Sequence, residues 1–255
     1  MPTASPRLGI ISALHQEQAG LVEAMSNPQT IRIGMRDYIT GSLWNKDCVC
    51  VLSRVGKVAA ATTAAMLIEH FEVSHIVFTG VAGSADPAVQ VGDIVIAENL
   101  VQHDMDAEPL FPRFEVPLLG VSHFASHKNL TDQLLQAASA FIECDYLHHI
   151  DSADRAALHL ATPKLHHGLI SSGDQFIHQR DKIIELKKML PDLLAVEMEG
   201  AAVAQVCFEF GLPYTVIRTI SDGANENSAM DFVHFIERVA ARYAFHIVKR
   251  LCQQD

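Results

Sequence analysis

A chain of 255 residues that is 49% apolar can bury a substantial hydrophobic core without disulfide or metal support. Its formal net charge of -11 and the lack of a basic cluster argue against nucleic acid or an anionic membrane as a partner. The sequence contains no apolar run of about eighteen residues and no signal-peptide pattern at its start, so we expect no membrane segment.

Apolar runs of strand length alternate along the chain with segments of helical spacing. Strands are predicted over 8–13, 48–55, 75–82, 93–101, 168–174, 193–198 and 214–222, and helices over 15–25, 58–71, 129–142, 179–189, 199–210 and 230–250. The polar alternation of 32–44 is typical of a hairpin, so part of the sheet is expected to be antiparallel. β-branched strands between helices predict an α/β sandwich around a parallel or mixed sheet. With no linker or repeat, 1–255 is predicted to be a single domain.

The five cysteines are an odd number without paired zinc-like spacing. We interpret them as reduced thiols of a cytoplasmic protein, packed mostly as small apolar residues. His103, Asp104 and Asp106 lack a second group of ligands and are interpreted as a polar loop. We therefore expect neither a metal nor an organic cofactor.

Unusual residues stand where four predicted core strands end, at 80–83, 172–174, 197–199 and 218–222. In "LLAVEMEG" a predicted buried strand leads directly into Glu197 and Glu199. Burial of an ionised carboxylate is costly unless a partner pairs with it. Ligands of open α/β sheets bind beyond the carboxyl ends of the strands. We therefore expect these four ends to meet around one polar crevice.

Each candidate also has a simpler structural interpretation. Glu17 and Glu199 begin predicted helices, where a surface carboxylate is favoured by the helix dipole, and Asp222 could cap a turn. The glycines of "TGVAGS" fit either a tight turn or a backbone that something approaches closely. "RVGKVAAATT" lacks the residues of a phosphate loop, so Gly56 is interpreted as a turn into a helix.

Several segments, taken in order, resemble those of 5′-methylthioadenosine/S-adenosylhomocysteine nucleosidases, within the purine nucleoside phosphorylase-like superfamily. They are "GIISALHQEQAGL", "VGKVAAATTA", "TGVAGS", "VGDIVIAENLVQHDMDA", "SGDQFI", "AVEMEGAAVAQVC" and "RTISDGAN". The match covers nearly the whole chain and is weakest over 26–47 and 109–165. Glu17, eight residues after Gly9, points to the hydrolase branch.

The resemblance implies a three-layer α/β/α sandwich around a twisted mixed sheet, usually in a homodimer. It implies cleavage of the N-glycosidic bond between adenine and a 5-thioribose, without a cofactor. Asp222 would protonate adenine N7, and Glu17 would activate the attacking water.

The resemblance also implies a set of substrate contacts. Glu199 would bind the ribosyl hydroxyls over Met198, while Phe176 would stack on adenine and the Ile177 backbone would read its edge. Arg218 would support the water side, Ser221 would hold Asp222, and Phe232 would line the 5′-thio pocket, with part of that pocket coming from the neighbouring subunit's 105–115 loop. Val81 departs from the serine that is common in this family, and Glu197 is left as a structural residue.

Three alternatives stay open on the residues alone. A phosphorylase of the same fold is disfavoured because Glu17 would repel phosphate and "TGVAGS" lacks an arginine. A nucleosidase for another purine nucleoside, such as a futalosine-type metabolite, shares the same residues. A non-catalytic nucleoside-binding protein would not need Glu17, Glu199 and Asp222 together.

Overall fold

The computed structural model describes residues 6–225 and 228–254, and the strands within these ranges belong to one sheet. The strands are β1 (Leu8–Ser12), β2 (Ser26–Ile33), β3 (Arg36–Leu43), β4 (Lys46–Leu52), β5 (His75–Ser84), β6 (Ile94–Gln102), β7 (His123–Ala125), β8 (Leu165–Ser172), β9 (Leu193–Glu197) and β10 (Tyr214–Asp222). Their order is β10-β6-β8-β9-β5-β1-β4-β3-β2, with β7 beside β6 and a further pairing of β10 with β5. The sheet is mixed, because β1 runs parallel to β4 and β5 whereas β10 runs antiparallel to β6.

Five of these strands close into a ring, since β10, β6, β8, β9 and β5 pair in sequence and β5 returns to β10. The ring closes through a short antiparallel contact in which Gly83 pairs with Val196 and Ser84 with Ala195. The sequence predicted a mixed sheet but not this closure, because two residue pairs distant in sequence leave no local pattern. The closure brings the carboxyl ends of β5, β9 and β10 to one place.

Helices cover both faces of the sheet. They are α1 (His15–Gln18), α2 (Lys57–Glu69), α3 (Lys128–Ala140), α4 (Tyr146–His149), α5 (Ser152–Ala157), α6 (Arg180–Met189), α7 (Gly200–Phe210), α8 (Ser228–Phe235) and α9 (Ala241–Cys252), with π-helical turns over Phe141–Asp145 and Ile236–Ala240. One apolar core packs α3 and α9 on the sheet through Leu134, Tyr243 and Ile247. The other packs α2 and α7 on the opposite face through Leu67 and Cys207. The three-layer α/β/α architecture is thus confirmed.

Most predicted elements are present, with two kinds of difference. The predicted helix over 15–25 ends at Gln18, because Gly20 adopts a φ of 89° and the chain continues in turns. The segments α4, α5 and β7 were not predicted, since they are too short to show a period. The hairpin is confirmed by the antiparallel pairing of β2 with β3. A single domain stays a prediction, with the continuous sheet in its favour.

Among the described residues, the helices are too short or too polar to cross a lipid bilayer.

Candidate active site

A cavity of about 440 Å³ opens at the carboxyl ends of β5, β9 and β10, a volume in the range of small-molecule sites. The segments that line it come from all three strand ends and from the loop after β8. Nine of the ten residues expected at the site line this cavity, namely Glu17, Val81, Phe176, Ile177, Met198, Glu199, Ser221, Asp222 and Phe232. The expected crevice therefore exists at the predicted edge of the sheet.

Glu17 is held entirely by backbone donors. Its Oε2 accepts the N–H groups of Ala13 and Leu14, each at 2.8 Å, and its Oε1 accepts the Val81 N–H at 3.0 Å. Burial raises the pKa of Glu17, while the charge of Arg218 and these N–H groups act in the opposite direction. Because Val81 contributes its backbone, the lack of a hydroxyl there leaves this support of Glu17 intact.

The two glycines of "TGVAGS" lie in strand β5 and not in a turn, and a carboxylate approaches each of them. A Cβ on Gly80 would lie 2.8 Å from Glu17 Oε1, and a Cβ on Gly83 would lie 3.0 Å from Asp222 Oδ1. Of the two interpretations left open by the sequence, close approach is therefore the correct one. Three residues of extended strand span about 10 Å, so the backbone keeps the two carboxyl groups apart.

Asp222 ends β10 and is buried. Its Oδ2 accepts the Ser221 hydroxyl at 2.8 Å and its Oδ1 accepts the Ala224 N–H at 2.9 Å. Burial is the largest influence and raises the pKa of Asp222, although bonds from Ser228, Ala224 and Ser221 oppose it. The raised pKa favours the protonated form, which can donate a proton into the cavity.

Glu197 and Glu199 have different surroundings although both belong to "EME". Glu197 accepts the Glu199 N–H at 3.1 Å and both its oxygens accept the Gly200 N–H, so this carboxylate caps α7. It also bonds the Ser172 hydroxyl. Both residues line the cavity, but the oxygens of Glu197 are already bonded to the helix end.

The Gly56 N–H donates a hydrogen bond to Glu199 Oε1 at 2.8 Å. Burial, followed by the negative charge of Glu197, raises the pKa of Glu199 to about 8. Gly56 has a φ of 100° and precedes α2, as its interpretation as a turn residue predicted. Its contact with Glu199, 143 positions away, carried no signal in the sequence.

Arg218 is not among the residues that line the cavity, but it lies behind Glu17, since a Cβ on Gly80 would be 2.8 Å from Glu17 Oε1 and 3.4 Å from Arg218 Nη1. It is 1% exposed and lies behind the cavity wall, where its Nη2 donates to Glu197 Oε2 at 2.7 Å. Its Nη1 donates to the carbonyl groups of Phe78 and Ile217, and the guanidinium lies 4.1 Å from the Phe78 ring centroid. All its groups face protein, so Arg218 influences the site through its charge and through Glu197.

Aromatic and apolar side chains form the remaining walls. Phe176 and Phe232 meet edge to face, with ring centroids 5.8 Å apart, and Phe176 is still 42% exposed. A half-exposed ring beside an open cavity offers a stacking surface for a planar base. Met198 and Leu14 add apolar surface to the same cavity.

A polar clasp fixes the loop that carries Phe176 and Ile177. We define it as Lys57, Asp104 and Asp174: Lys57 Nζ lies 2.6 Å from Asp104 Oδ1, the Lys57 N–H donates to Asp174 Oδ1, and the Asp174 N–H donates to Asp104 Oδ2. Lys57 Nζ also donates to Gln102. The clasp ties this loop to the start of α2, next to Gly56. Sequence reasoning missed it, although its residues stand within three segments that carry the family resemblance.

The polar loop after β6 shows no metal arrangement. Asp104 belongs to the clasp, His103 Nδ1 lies 3.1 Å from Ser171 Oγ, and Asp106 pairs with Arg113. Within residues 6–225 and 228–254, no cluster of three or more His, Cys, Asp or Glu side chains is suited to hold a metal ion.

The family comparisons agree with this site. A family model described as Phosphorylase superfamily matches residues 7–253. A 5′-methylthioadenosine/S-adenosylhomocysteine nucleosidase of Shewanella sp. (strain MR-7) is 35% identical over 249 residues, which are 98% of each chain. The Streptococcus pneumoniae enzyme of that name, solved with a transition-state inhibitor, has a TM-score of 0.83 at 33% identity and covers 98% of this chain and 100% of its own.

A futalosine hydrolase of Helicobacter pylori is also similar, with a TM-score of 0.82 at 29% identity over 98% of each chain. Coverage of almost the whole chain, at more than 30% identity to nucleosidases, goes beyond a shared fold. The chain therefore belongs to the phosphorylase superfamily and, within it, to the 5′-methylthioadenosine/S-adenosylhomocysteine nucleosidase family.

Proposed function

We propose that this protein hydrolyses the N-glycosidic bond of 5′-methylthioadenosine, S-adenosylhomocysteine or both, releasing adenine and the 5-thioribose. The observation that carries the proposal is the meeting of four buried carboxyl groups around one cavity, of which Glu197 caps α7 and those of Glu17, Glu199 and Asp222 are left to act on a substrate. Its apolar walls suit a purine and a thioether, and its acids suit the chemistry between them.

Asp222 acts as the general acid in this scheme. Adenine leaves poorly as an anion, so a proton must reach N7 as the bond from C1′ to N9 breaks. Burial raises the pKa of Asp222, which favours its acid form, and the Ser221 hydroxyl orients the carboxyl group.

Glu17 acts as the general base from its place against Gly80. Water supplies the oxygen that bonds C1′, and Glu17 takes the proton that this water loses. A pKa raised by burial brings a carboxylate nearer to neutral pH, where a base is most effective. The spacing of Gly80 and Gly83 along β5 separates base from acid, as attack on the opposite face of the sugar requires.

The other groups of the cavity bind the nucleoside. Glu199 accepts hydrogen bonds from the ribosyl hydroxyls, and in its ionised form it stabilises the cationic sugar of the transition state. Met198 lies beneath the sugar ring. Phe176 stacks on adenine, the Ile177 backbone reads its edge, and Phe232 contacts the 5′-thio group, while Val81 packs beside Glu17. Arg218 supports the site indirectly by holding Glu197.

The experiment that tests this function is incubation with methylthioadenosine, S-adenosylhomocysteine and inosine in phosphate-free buffer, followed by chromatography of the released bases. Adenine from either thionucleoside supports the proposal. Release of a base only after phosphate is added would instead indicate a phosphorylase.

Futalosine hydrolysis is a second candidate, favoured by the similarity to the Helicobacter pylori futalosine hydrolase. The same acid, base and ribose contacts serve either nucleoside, so the difference would lie in the walls around the base and the 5′-substituent. Adding futalosine to the substrate panel separates the two by their kcat/KM values.

We further propose that the protein is a cytoplasmic homodimer. Leu110 and Leu118, on the segment after β6, are 84% and 93% exposed, which is unusual for large apolar side chains unless another surface covers them. All five cysteines are free thiols, as suits a reducing compartment. Sedimentation analysis of the purified protein measures the oligomeric state.

A further inference from the structure

A second, shallower cavity of about 420 Å³ adjoins the active site. We call it the arginine groove and define it by Arg36, Arg54, Val55, Lys57 and Asp174, which line it. Val55 lines the active-site cavity as well, so the two spaces meet at this side chain. The groove is therefore placed to contact a part of the substrate that extends from the active site.

The two arginines of the groove have no carboxylate partner in the described part of the chain. Arg36 donates to the carbonyl groups of Ser53 and Ala59 at 3.3 and 3.2 Å, and Arg54 donates to the Met35 carbonyl. Lys57, in contrast, is paired with Asp104. In a sequence with 30 acidic and 19 basic residues, two guanidinium groups without an ion-pair partner leave the groove with an excess of positive charge despite Asp174.

The backbone at Arg54 gives a second, independent indication. Arg54 has a φ of 70°, in the left-handed region where a side chain costs on the order of 1 kcal/mol relative to glycine. Glycine would hold this turn more easily, yet the position carries a long cationic side chain that is exposed. Among the described residues Arg54 is one of nine non-glycine residues with a positive φ, and residues held in this way cluster at functional sites.

The groove also begins beside the ribose-binding carboxyl group. Gly56, which follows Val55, donates its N–H to Glu199 Oε1. Consider a nucleoside with its base at Asp222 and its ribosyl hydroxyls at Glu199. Its C5′ is bonded to C4′, which neighbours the C3′ that bears the 3′-hydroxyl. With its 5′-sulfur against Phe232, such a nucleoside can extend the rest of its 5′-substituent past Val55, which lines both spaces, toward Arg54.

We propose that Arg54 and Arg36 bind the carboxylate of a charged 5′-substituent, so that the groove selects 5′-thioadenosines with an amino-acid tail. The inference rests on the proposed function and assigns its substrate preference. Guanidinium groups bind carboxylates through paired, charge-assisted hydrogen bonds. Asp174, in the same groove, supplies the opposite charge that the α-ammonium of such a tail requires. S-Adenosylhomocysteine has this tail, whereas methylthioadenosine ends in an uncharged methyl group.

The test compares kcat/KM for three substrates: methylthioadenosine, S-adenosylhomocysteine, and 5′-(3-aminopropylthio)adenosine, which keeps the ammonium but lacks the carboxylate. Arg54→Gly is the main variant, because glycine fits the positive φ and removes only the side chain. Arg36→Gln is a second variant at the other guanidinium. Arg32→Ala is the matched control, since it removes one exposed arginine whose partner, Asp37, lies outside the groove.

We expect Arg54→Gly to lower the ratio of kcat/KM for S-adenosylhomocysteine to that for methylthioadenosine by about two- to fivefold, as the loss of one exposed ion pair predicts. The combined variant should lower it further, and the wild-type ratio should fall with added salt. Arg32→Ala should keep the wild-type ratio, and the aminopropyl substrate should respond to Arg54→Gly as methylthioadenosine does.

Equal ratios in wild type and Arg54→Gly, with methylthioadenosine still hydrolysed, overturn the inference alone. A wild-type protein that hydrolyses neither thionucleoside overturns the proposed function and this inference together.

Discussion

Replacing Glu199 with glutamine tests how strongly the active site disfavours an ionised carboxylate. Burial and the neighbouring Glu197 raise the pKa of Glu199 from 4.5 to about 8. Between these pH values the folded protein keeps a proton that the unfolded chain has released. The free energy of unfolding of the wild type therefore falls as the pH rises through this window. At about 1.4 kcal/mol per pH unit, the whole change amounts to roughly 5 kcal/mol.

Glutamine is neutral at every pH, so Glu199→Gln lacks this dependence. Urea unfolding of the ligand-free protein, followed from about pH 5 to about pH 9, measures the difference. We expect the variant to gain several kcal/mol relative to wild type across this range. Glu209→Gln is the matched control, because Glu209 is exposed on the same helix, and its curve should follow the wild type. Parallel curves for wild type and Glu199→Gln would refute the assigned electrostatics.

Four further variants test other parts of the site. Asp222→Asn and Glu17→Gln should each lower kcat for methylthioadenosine by about 10²- to 10⁴-fold, because they remove the general acid and the general base. Calorimetry should show that both variants still bind adenine. A wild-type rate in either variant would exclude that residue from its role. Gly80→Ala should lower kcat about a hundredfold with little change in melting temperature, because its Cβ would lie 2.8 Å from Glu17 Oε1 and displace the base. An unaltered kcat would show that Glu17 need not touch the β5 backbone. Lys57→Met opens the polar clasp and should raise KM several-fold by loosening the loop of Phe176, with exposed Lys188→Met as its control. Equal KM values in the two lysine variants would mean that the clasp does not position this loop.

The sequence was most informative where local chemistry conflicts with burial. Acidic residues at the ends of apolar strands are costly without a partner, so "LLAVEMEG" and "VIRTISD" indicated a site before any geometry was available. Glu17, which follows β1, was a site candidate only in combination with Glu199 and Asp222 and through the family resemblance. Glu17, Glu199 and Asp222 all line the cavity that the strand ends predicted.

The assignment of Glu199 to the ribose and of Glu197 to a structural role came only from the family resemblance, because both residues stand in the same motif. Their difference depends on contacts with distant groups, namely Arg218 on β10 for Glu197 and Gly56 before α2 for Glu199. The closure of five strands into a ring, which brings these groups together, likewise rests on pairings between distant segments. The partner of Arg218 was not foreseen for the same reason, since the sequence shows that a strand carries a charge but not that its guanidinium meets Glu197.

The central claim is that solvent, activated by Glu17, cleaves the bond between adenine and the thioribose. The most direct measurement is turnover of methylthioadenosine in phosphate-free water enriched in oxygen-18, followed by mass spectrometry of the sugar product. We predict one labelled oxygen at C1 of each methylthioribose, formed at the rate at which adenine appears. Adenine release that requires phosphate, with the sugar recovered as its 1-phosphate, would contradict the account.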